Sequence, residues 1–152
     1  MKHCSRCLLP ETAETITFDS EGVCNVCRQT EIKDNTNWQQ KKEELYQLAE
    51  KYRGSGDYDC IVPYSGGKDS SFTAWYAAKK LNLKILLVRY NHGFQREIIR
   101  ENTDKLLKHL GNADLIDIQL NWDTKKAIML ESLRRKGDFC LDCHTGCFTV
   151  PM

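Results

Sequence analysis

No stretch of this chain approaches the ~20 consecutive apolar residues that a membrane-spanning helix needs, and no internal repeat or low-complexity segment interrupts it. Net charge is nearly absent too. The chain carries 22 Lys and Arg against 21 Asp and Glu, a formal +1, which removes the electrostatic argument for a nucleic-acid or membrane partner. Behind Met1-Lys-His-Cys-Ser-Arg-Cys7 there is no hydrophobic core of a secretory signal. These absences lead us to expect a cytoplasmic protein. What is present suits a folded chain: 152 residues, 41% apolar and 28% charged, enough for one ordinary domain with a small appendage.

The eight cysteines argue against a disulfide scaffold because of their spacing. Cys4-x2-Cys7 and Cys24-x2-Cys27, separated by sixteen residues, form a double knuckle that reads as a metal site in a reducing compartment. Four thiolates suit tetrahedral zinc and leave no coordination position open, which favours a structural role. Iron fits the same thiolates. Between the knuckles, Glu14-Thr-Ile-Thr-Phe18 alternates like a strand and Asp19-Ser-Glu-Gly22 reads as its turn. We therefore expect residues 1–32 to be a zinc ribbon whose folding free energy comes mostly from the metal.

Two common nucleotide signatures are missing. Walker A needs Gly-x4-Gly-Lys followed by Ser or Thr, and no Gly-x-Gly-x-x-Gly occurs. Instead, the apolar run within Tyr58–Pro63 leads into Ser65-Gly66-Gly67-Lys68-Asp69-Ser70, and Ser71–Leu81 reads as a helix with Phe72, Trp75, Tyr76 and Leu81 inward. A loop between a strand end and a helix start presents unpaired backbone N–H groups and partial positive charge. Adjacent glycines let a ligand approach and permit unusual backbone angles. The expected product is a phosphate-binding nest.

Asn35–Arg53 is read as a linking helix with Trp38, Leu45, Leu48, Ala49 and Tyr52 on one stripe. Gly54-Ser-Gly56 follows as a hinge, so residues 33–56 join the ribbon to a domain over 57–152. Leu83–Tyr90 reads as a second strand covered on both faces. Asn91-His92-Gly93-Phe94 then lies at its carboxyl end, where open α/β sheets bind ligands. Arg96–Leu110 is a helix with Ile98, Ile99, Leu106, Leu107 and Leu110 inward. Asp114–Leu120 is a third strand, and Asp123 or Thr124 caps a helix ending near Gly137. The last stretch, Asp138 to Cys147, gathers Cys140, Cys143, His144 and Cys147. It offers a second metal or iron–sulfur site, a reactive thiol, or thiols that merely pack a helix start. Cys60, inside the first strand, reads as core.

Ser65-Gly-Gly-x-Asp-Ser70 after the first strand resembles the loop of the PP-loop ATP pyrophosphatases. With Asn91–Phe94, the ribbon and Gly137-Asp-Phe-Cys140-x2-Cys143-His144, the chain resembles the amino-terminal part of the N-acetyl sugar amidotransferases. The resemblance implies an α/β fold, a PP-loop parallel sheet with helices on both faces, preceded by the zinc ribbon. It implies that ATP adenylates the acetamido oxygen of a sugar or nucleotide sugar, in surface polysaccharide or nonulosonic-acid biosynthesis. Ammonia from a partner glutaminase, delivered through a cyclase-like subunit, then displaces AMP to leave an acetamidino group. Ser65, Gly66, Gly67, Lys68, Asp69 and Ser70 would hold the phosphates, with Lys68 and Asp69 catalytic and Asn91 and His92 at the adenosine end. Mg²⁺ would bridge the phosphates, held by few protein ligands.

Such a domain needs about five strands and three are legible, so the others are expected from a longer chain or a partner. Two further readings stand beside this one. A tRNA thiolation enzyme would share the loop and use the last cysteines for sulfur, while showing a basic RNA surface. A non-catalytic zinc-ribbon module would dock onto a partner.

Overall fold

The computed structural model describes residues 1–12 and 15–152. The chain divides into two compact units, residues 1–44 and 45–152.

The first unit has little apolar matter to organise it. Its buried core is Cys4, Val23 and Cys24, with Leu9, Ile16, Phe18 and Cys27 packed against them. The chain is pinned by two isolated antiparallel bridges, His3 with Pro10 and Phe18 with Cys24. The strand predicted over 14–18 does not form over Thr15–Phe18 beyond that single bridge, and Glu14 lies outside the described residues. The following turn is built as expected. Asp19 Oδ1 accepts from the N–H groups of Glu21 (2.9 Å) and Val23 (3.0 Å), and Gly22 takes a φ of +74°. Helix α1, Asn25–Asp34, was not foreseen. It starts at Cys24, whose sulfur accepts from the N–H of Cys27 at 3.4 Å. The cysteine thus serves as the helix cap that Ser or Asp usually supplies.

Helix α2, Trp38–Tyr52, starts where Asn37 Oδ1 accepts from the N–H of Gln40 (3.1 Å). Of its expected apolar stripe, Leu45, Leu48, Ala49 and Tyr52 do share a side, lining one cleft, although only Ala49 is buried and Trp38, Leu45, Leu48 and Tyr52 are exposed.

The second unit is α/β, with a three-stranded parallel sheet in the order β1-β2-β3 flanked by helices. The strands are β1 (Cys60–Pro63), β2 (Ile85–Tyr90) and β3 (Ala113–Ile118). The register fixes the faces, because paired residues of parallel strands share a side. One face carries Cys60, Val62, Ile85, Leu87, Ala113 and Leu115. Against it pack α3 (Lys68–Trp75), its π-helical continuation Tyr76–Lys80, and α4 (Glu97–Leu110). Ile85 and Leu87 are fully buried there, each worth roughly 1.5–3 kcal/mol of burial free energy. On the other face Val88 and Tyr90 are buried, while Ile61, Ile116 and Ile118 stay exposed.

The α3 segment also differs from expectation. Leu81 goes inward and Trp75 and Tyr76 pack half-buried against the core, as expected, but Ala74, Ala77 and Ala78 are buried too, and Phe72 is 60% exposed, with ring contacts to Trp75 and Tyr76 at 5.8 and 6.0 Å. Small side chains let helix and sheet approach closely, so the alanines take the centre of the contact and Phe72 is left at its rim. Helix α4 stops at Gly111, whose φ of +74° ends it in the left-handed conformation. Ile98, expected inward, is exposed. Helix α5, Trp122–Lys136, is capped by Asn121 rather than by Asp123 or Thr124. Asn121 Oδ1 accepts from both of their N–H groups. Helix α6, Leu141–Thr149, closes the chain.

Asp59 ties the entry of β1 in place. Its carboxylate accepts from the N–H of Gly54 (2.6 Å) and of Lys84 (2.7 Å). The Gly54 N–H first, then that of Lys84, hold its pKa below the ordinary carboxylate value. The stabilisation is therefore present above that ordinary value, near pH 4, and is lost as pH falls through the lower folded value. Asp59→Asn is expected to lower the melting temperature at pH 7, and the gap to the parent should close toward pH 3. A gap independent of pH would refute the clamp.

Candidate functional site

The four knuckle cysteines come together. Cys4, Cys7, Cys24 and Cys27 place their sulfurs within 4.8 Å of one another. Cys4 and Cys27 sulfurs are 3.8 Å apart, and those of Cys7 and Cys24 3.7 Å. A tetrahedral Zn–S₄ centre with bonds of ~2.3 Å has sulfur–sulfur edges of about 3.8 Å, so the donor set has the spacing of such a centre. Backbone N–H groups support it: those of Arg6 and Cys24 point at Cys4 Sγ at 3.4 and 3.3 Å. The Cys7 N–H, foremost among such donors, draws the Cys4 thiol down to about 6. Cys27 moves the other way, to about 12, chiefly because it shares a hydrogen bond with the Cys7 sulfur. Four crowded thiols cannot all ionise without a cation. These residues could hold a metal ion, and the set is compatible with zinc.

The glycine–serine loop lies where β1 ends and α3 begins. Ser65, Gly67, Lys68 and Asp69 are exposed, and Gly66 and Ser70 half-buried. The loop is braced internally. Ser65 Oγ contacts Ser70 Oγ (3.1 Å) and accepts from the Gly67 N–H (3.3 Å), while Ser70 Oγ donates to the Gly67 carbonyl (3.1 Å). The N–H groups of Gly66, Lys68, Asp69 and Ser70 have no acceptor among the described residues. They are the orphan donors of a helix start, gathered beside a lysine. Gly66 is required twice over. Its φ is +84°, and a Cβ there would sit 2.4 Å from Ile99 Cγ2. Gly66→Ala is expected to cost about 2–4 kcal/mol, from left-handed strain and overpacking together. Urea unfolding checks this, and a cost under ~1 kcal/mol would disprove the close approach.

Next to the loop lies a cavity of about 180 Å³, bounded among others by Tyr64, Ser65, Ser70, Tyr90, Cys147 and Phe148. A larger apolar cleft of about 400 Å³ opens between α2 and α3 beside β1, away from these polar groups. Gln95 joins the turn after β2 to the loop by donating to the Ser65 carbonyl at 3.4 Å. In that turn Asn91 is buried and occupied, since Oδ1 accepts from the Gly93 N–H (2.9 Å) and Nδ2 donates to Asp117 (3.4 Å). His92 is half-buried and stacks on Phe94. Its Nδ1 accepts from the Phe94 N–H (3.2 Å), which puts the proton of the neutral ring on Nε2. Burial first, and the Lys125 charge second, lower its pKa.

Sequence reasoning missed the cluster behind Tyr90. Lys125 and Asp142 are 1% and 8% exposed. Lys125 Nζ lies 2.9 Å from Asp142 Oδ2 and donates to the Tyr90 hydroxyl at 3.1 Å, which donates to Asp142 Oδ1 at 2.7 Å. Burial, the largest single influence, pulls the Lys125 pKa down, but Asp142 and Tyr90 together outweigh it and the net shift is upward. A second pair joins the buried Arg89 of β2 to the exposed Asp117 of β3 at 2.5 Å. In sequence only Arg89, breaking an apolar run, marked either of them.

The last cysteines are split. Cys140 opens α6, and Cys143 and Cys147 follow along it one turn apart. Burial first, and the neighbouring Cys147 second, push the Cys143 thiol up. Among the described residues, the knuckle cysteines form the one group spaced for a metal. The second metal or iron–sulfur site expected at Cys140, Cys143 and Cys147 is thus not assembled. His144 is exposed. Among the described residues, no helix is long and apolar enough to cross a membrane.

No protein-family model matches the chain. Over 108 residues, 70% of its length, it is 28% identical to an uncharacterised protein of Methanocaldococcus jannaschii. The match spans about two fifths, 39%, of that relative's own length.

Proposed function

We propose that this chain carries the ATP-binding part of an AMP-forming amidotransferase acting on an acetamido sugar or its nucleotide-linked form. The observation that carries the reading is the exposed loop at the carboxyl end of β1, whose Gly66, Lys68, Asp69 and Ser70 N–H groups lack protein acceptors. A polyphosphate supplies acceptors in the right number and charge. Lys68 adds positive charge, and the Ser65 and Ser70 hydroxyls brace the loop that presents the N–H groups.

Asp69, an exposed carboxylate on the loop, would hold Mg²⁺, which when bound neutralises phosphate charge. His92 offers its Nε2 proton to the adenosine end, while Asn91 shapes the turn that presents it. Adenylation turns an amide oxygen, otherwise a poor leaving group, into one that departs as AMP. Ammonia supplied by a glutaminase partner through a cyclase-like subunit would displace it. In this reading the knuckle cysteines hold zinc as a structural ion, and the site works in the cytoplasm.

The test is product identity. ATP turnover with N-acetylated sugars and ammonia should give AMP and pyrophosphate, and Lys68→Ala should weaken ATP binding about tenfold or more, a loss of ~1.4 kcal/mol. Release of ADP would overturn the adenylation reading. Dependence on tRNA and a sulfur donor instead would move it to thiolation.

A further inference from the structure

A hydroxyl has one proton and two lone pairs, and Thr103, 1% exposed on α4, uses all three. Its proton goes to the Ile99 carbonyl at 2.7 Å. The Tyr64 hydroxyl lies 3.3 Å from Thr103 Oγ1 and Arg89 Nη1 3.4 Å from it. With the proton spent, Thr103 accepts in both contacts, so Tyr64 is the donor in its pair. Tyr64 and Arg89 are themselves buried, and at that depth a lost partner is costly.

This junction grips the glycine–serine loop at two points. Tyr64 is the residue before Ser65. Ile99, one turn before Thr103 on α4, fills the space where a Cβ of Gly66 would sit, and Thr103 Oγ1 lies 3.8 Å from the same point. Gly66, with its φ of +84°, begins the run of N–H groups without acceptors among the described residues. Its orientation therefore aims them. On its other side the junction reaches the turn after β2. Arg89 Nη2 and Asn91 Nδ2 both donate to Asp117 Oδ2, at 2.5 and 3.4 Å. One hydrogen-bonded path thus runs from Tyr64 through Thr103, Arg89 and Asp117 to Asn91, linking the loop to the turn that carries His92.

We infer that Thr103 is a positioning residue for polyphosphate binding. Its hydroxyl touches no ligand; it holds Tyr64 and Gly66 so that the loop N–H groups converge before phosphate arrives. The inference rests on the ATP-binding reading above and adds to it the group that pre-organises the loop. Donors already aimed need no ordering when the ligand binds. A loop left to turn about Gly66, the residue type with the widest choice of backbone angles, must be ordered at the expense of affinity. Packing alone does not account for a threonine here. Valine has nearly the same volume and would serve as well if only the contact of α4 with the loop mattered, whereas the hydroxyl alone can receive Tyr64 and Arg89 together.

The test separates the hydroxyl from the volume. The intact chain is titrated calorimetrically with magnesium ATP and with inorganic pyrophosphate. Thr103→Val should weaken both probes about tenfold, whereas Thr103→Ser, which keeps the hydroxyl and loses a methyl, should stay within about twofold of the parent. A purely structural role predicts the reverse order, since serine leaves the larger void. Thr103→Val also strands a donor of Arg89, whose Nε already lacks a partner among the described residues. Tyr64→Phe is therefore measured beside it, because it keeps the ring and removes only the hydroxyl that Thr103 receives. It should show the same loss, with its fold checked by circular dichroism. If the parent binds both probes and Tyr64→Phe binds them equally well, or Thr103→Ser is the weaker of the two threonine variants, the positioning role falls and the ATP reading survives. If the parent binds neither probe, both fall.

Discussion

Replacing Cys24 by serine is expected to unfold residues 1–34 selectively, and a strong chelator should do the same to the parent chain. The reason is how little else holds that unit. Among the described residues its buried ones are Cys4, Val23 and Cys24, and two of those three are sulfur donors. A core this small cannot offset the entropy of ordering the chain around it. Four-thiolate zinc centres contribute apparent binding free energies of about 10–16 kcal/mol at pH 7, and in such small units that is folding free energy. Cys24 would be the most damaging loss, because its sulfur is both a candidate ligand and the cap of α1. Zinc analysis should find one equivalent per chain in the parent, from the one four-sulfur group among the described residues, and almost none in the variant. Limited proteolysis should then cut within residues 1–34 first. A parent chain that binds no zinc yet resists proteolysis there would refute the ribbon.

Lys125→Met should be the most damaging single change in the second unit. The ammonium is 1% exposed and lies against a carboxylate that is itself buried. Removing one partner of such a pair leaves the other charge without compensation, at a cost of about 3–5 kcal/mol. Removing both is different. Lys125→Met combined with Asp142→Leu should recover much of the loss, because a buried ion pair is often no more stable than an apolar pair of similar volume. The Tyr90 hydroxyl would then lack both its partners, so recovery should be incomplete. Urea unfolding followed by the fluorescence of Trp122, in the same turn of α5 as Lys125, measures all three variants. A single-variant cost below ~1 kcal/mol would show that water reaches the pair.

The elements that sequence reasoning read best were those with two independent signals. Strand β2 is an apolar run with turn residues after it, and α4 and α5 both end at glycines with positive φ. The knuckles were legible because their spacing demands one geometry. What escaped were choices settled only by packing. Phe72 looked like core beside Trp75 and Tyr76, which do pack against it, but a helix pressed against a sheet buries its alanines when they permit closer contact. Helix α1 was hidden because its cap is a cysteine, already explained as a ligand. Lys125, followed by Lys126, carries no mark in sequence that sets it apart from its neighbour. Only the fold shows that one of that pair meets Asp142, which lies 17 positions further on in the sequence. The loop itself could be read as a strand-to-helix turn, but its brace could not, since Ile99 closes over Gly66 from a helix beyond the second strand.

The outer face of the sheet has a practical consequence for handling the protein. Parallel sheets are ordinarily covered on both sides, yet here Ile61, Ile116 and Ile118 meet solvent from one side at 51%, 45% and 38% exposure. A chain with a formal charge of only +1 has little electrostatic repulsion to keep such surfaces apart. Concentrated stocks near neutral pH should therefore show a rising light-scattering radius, which added salt worsens. Mild detergent or a move well away from neutrality should reverse it.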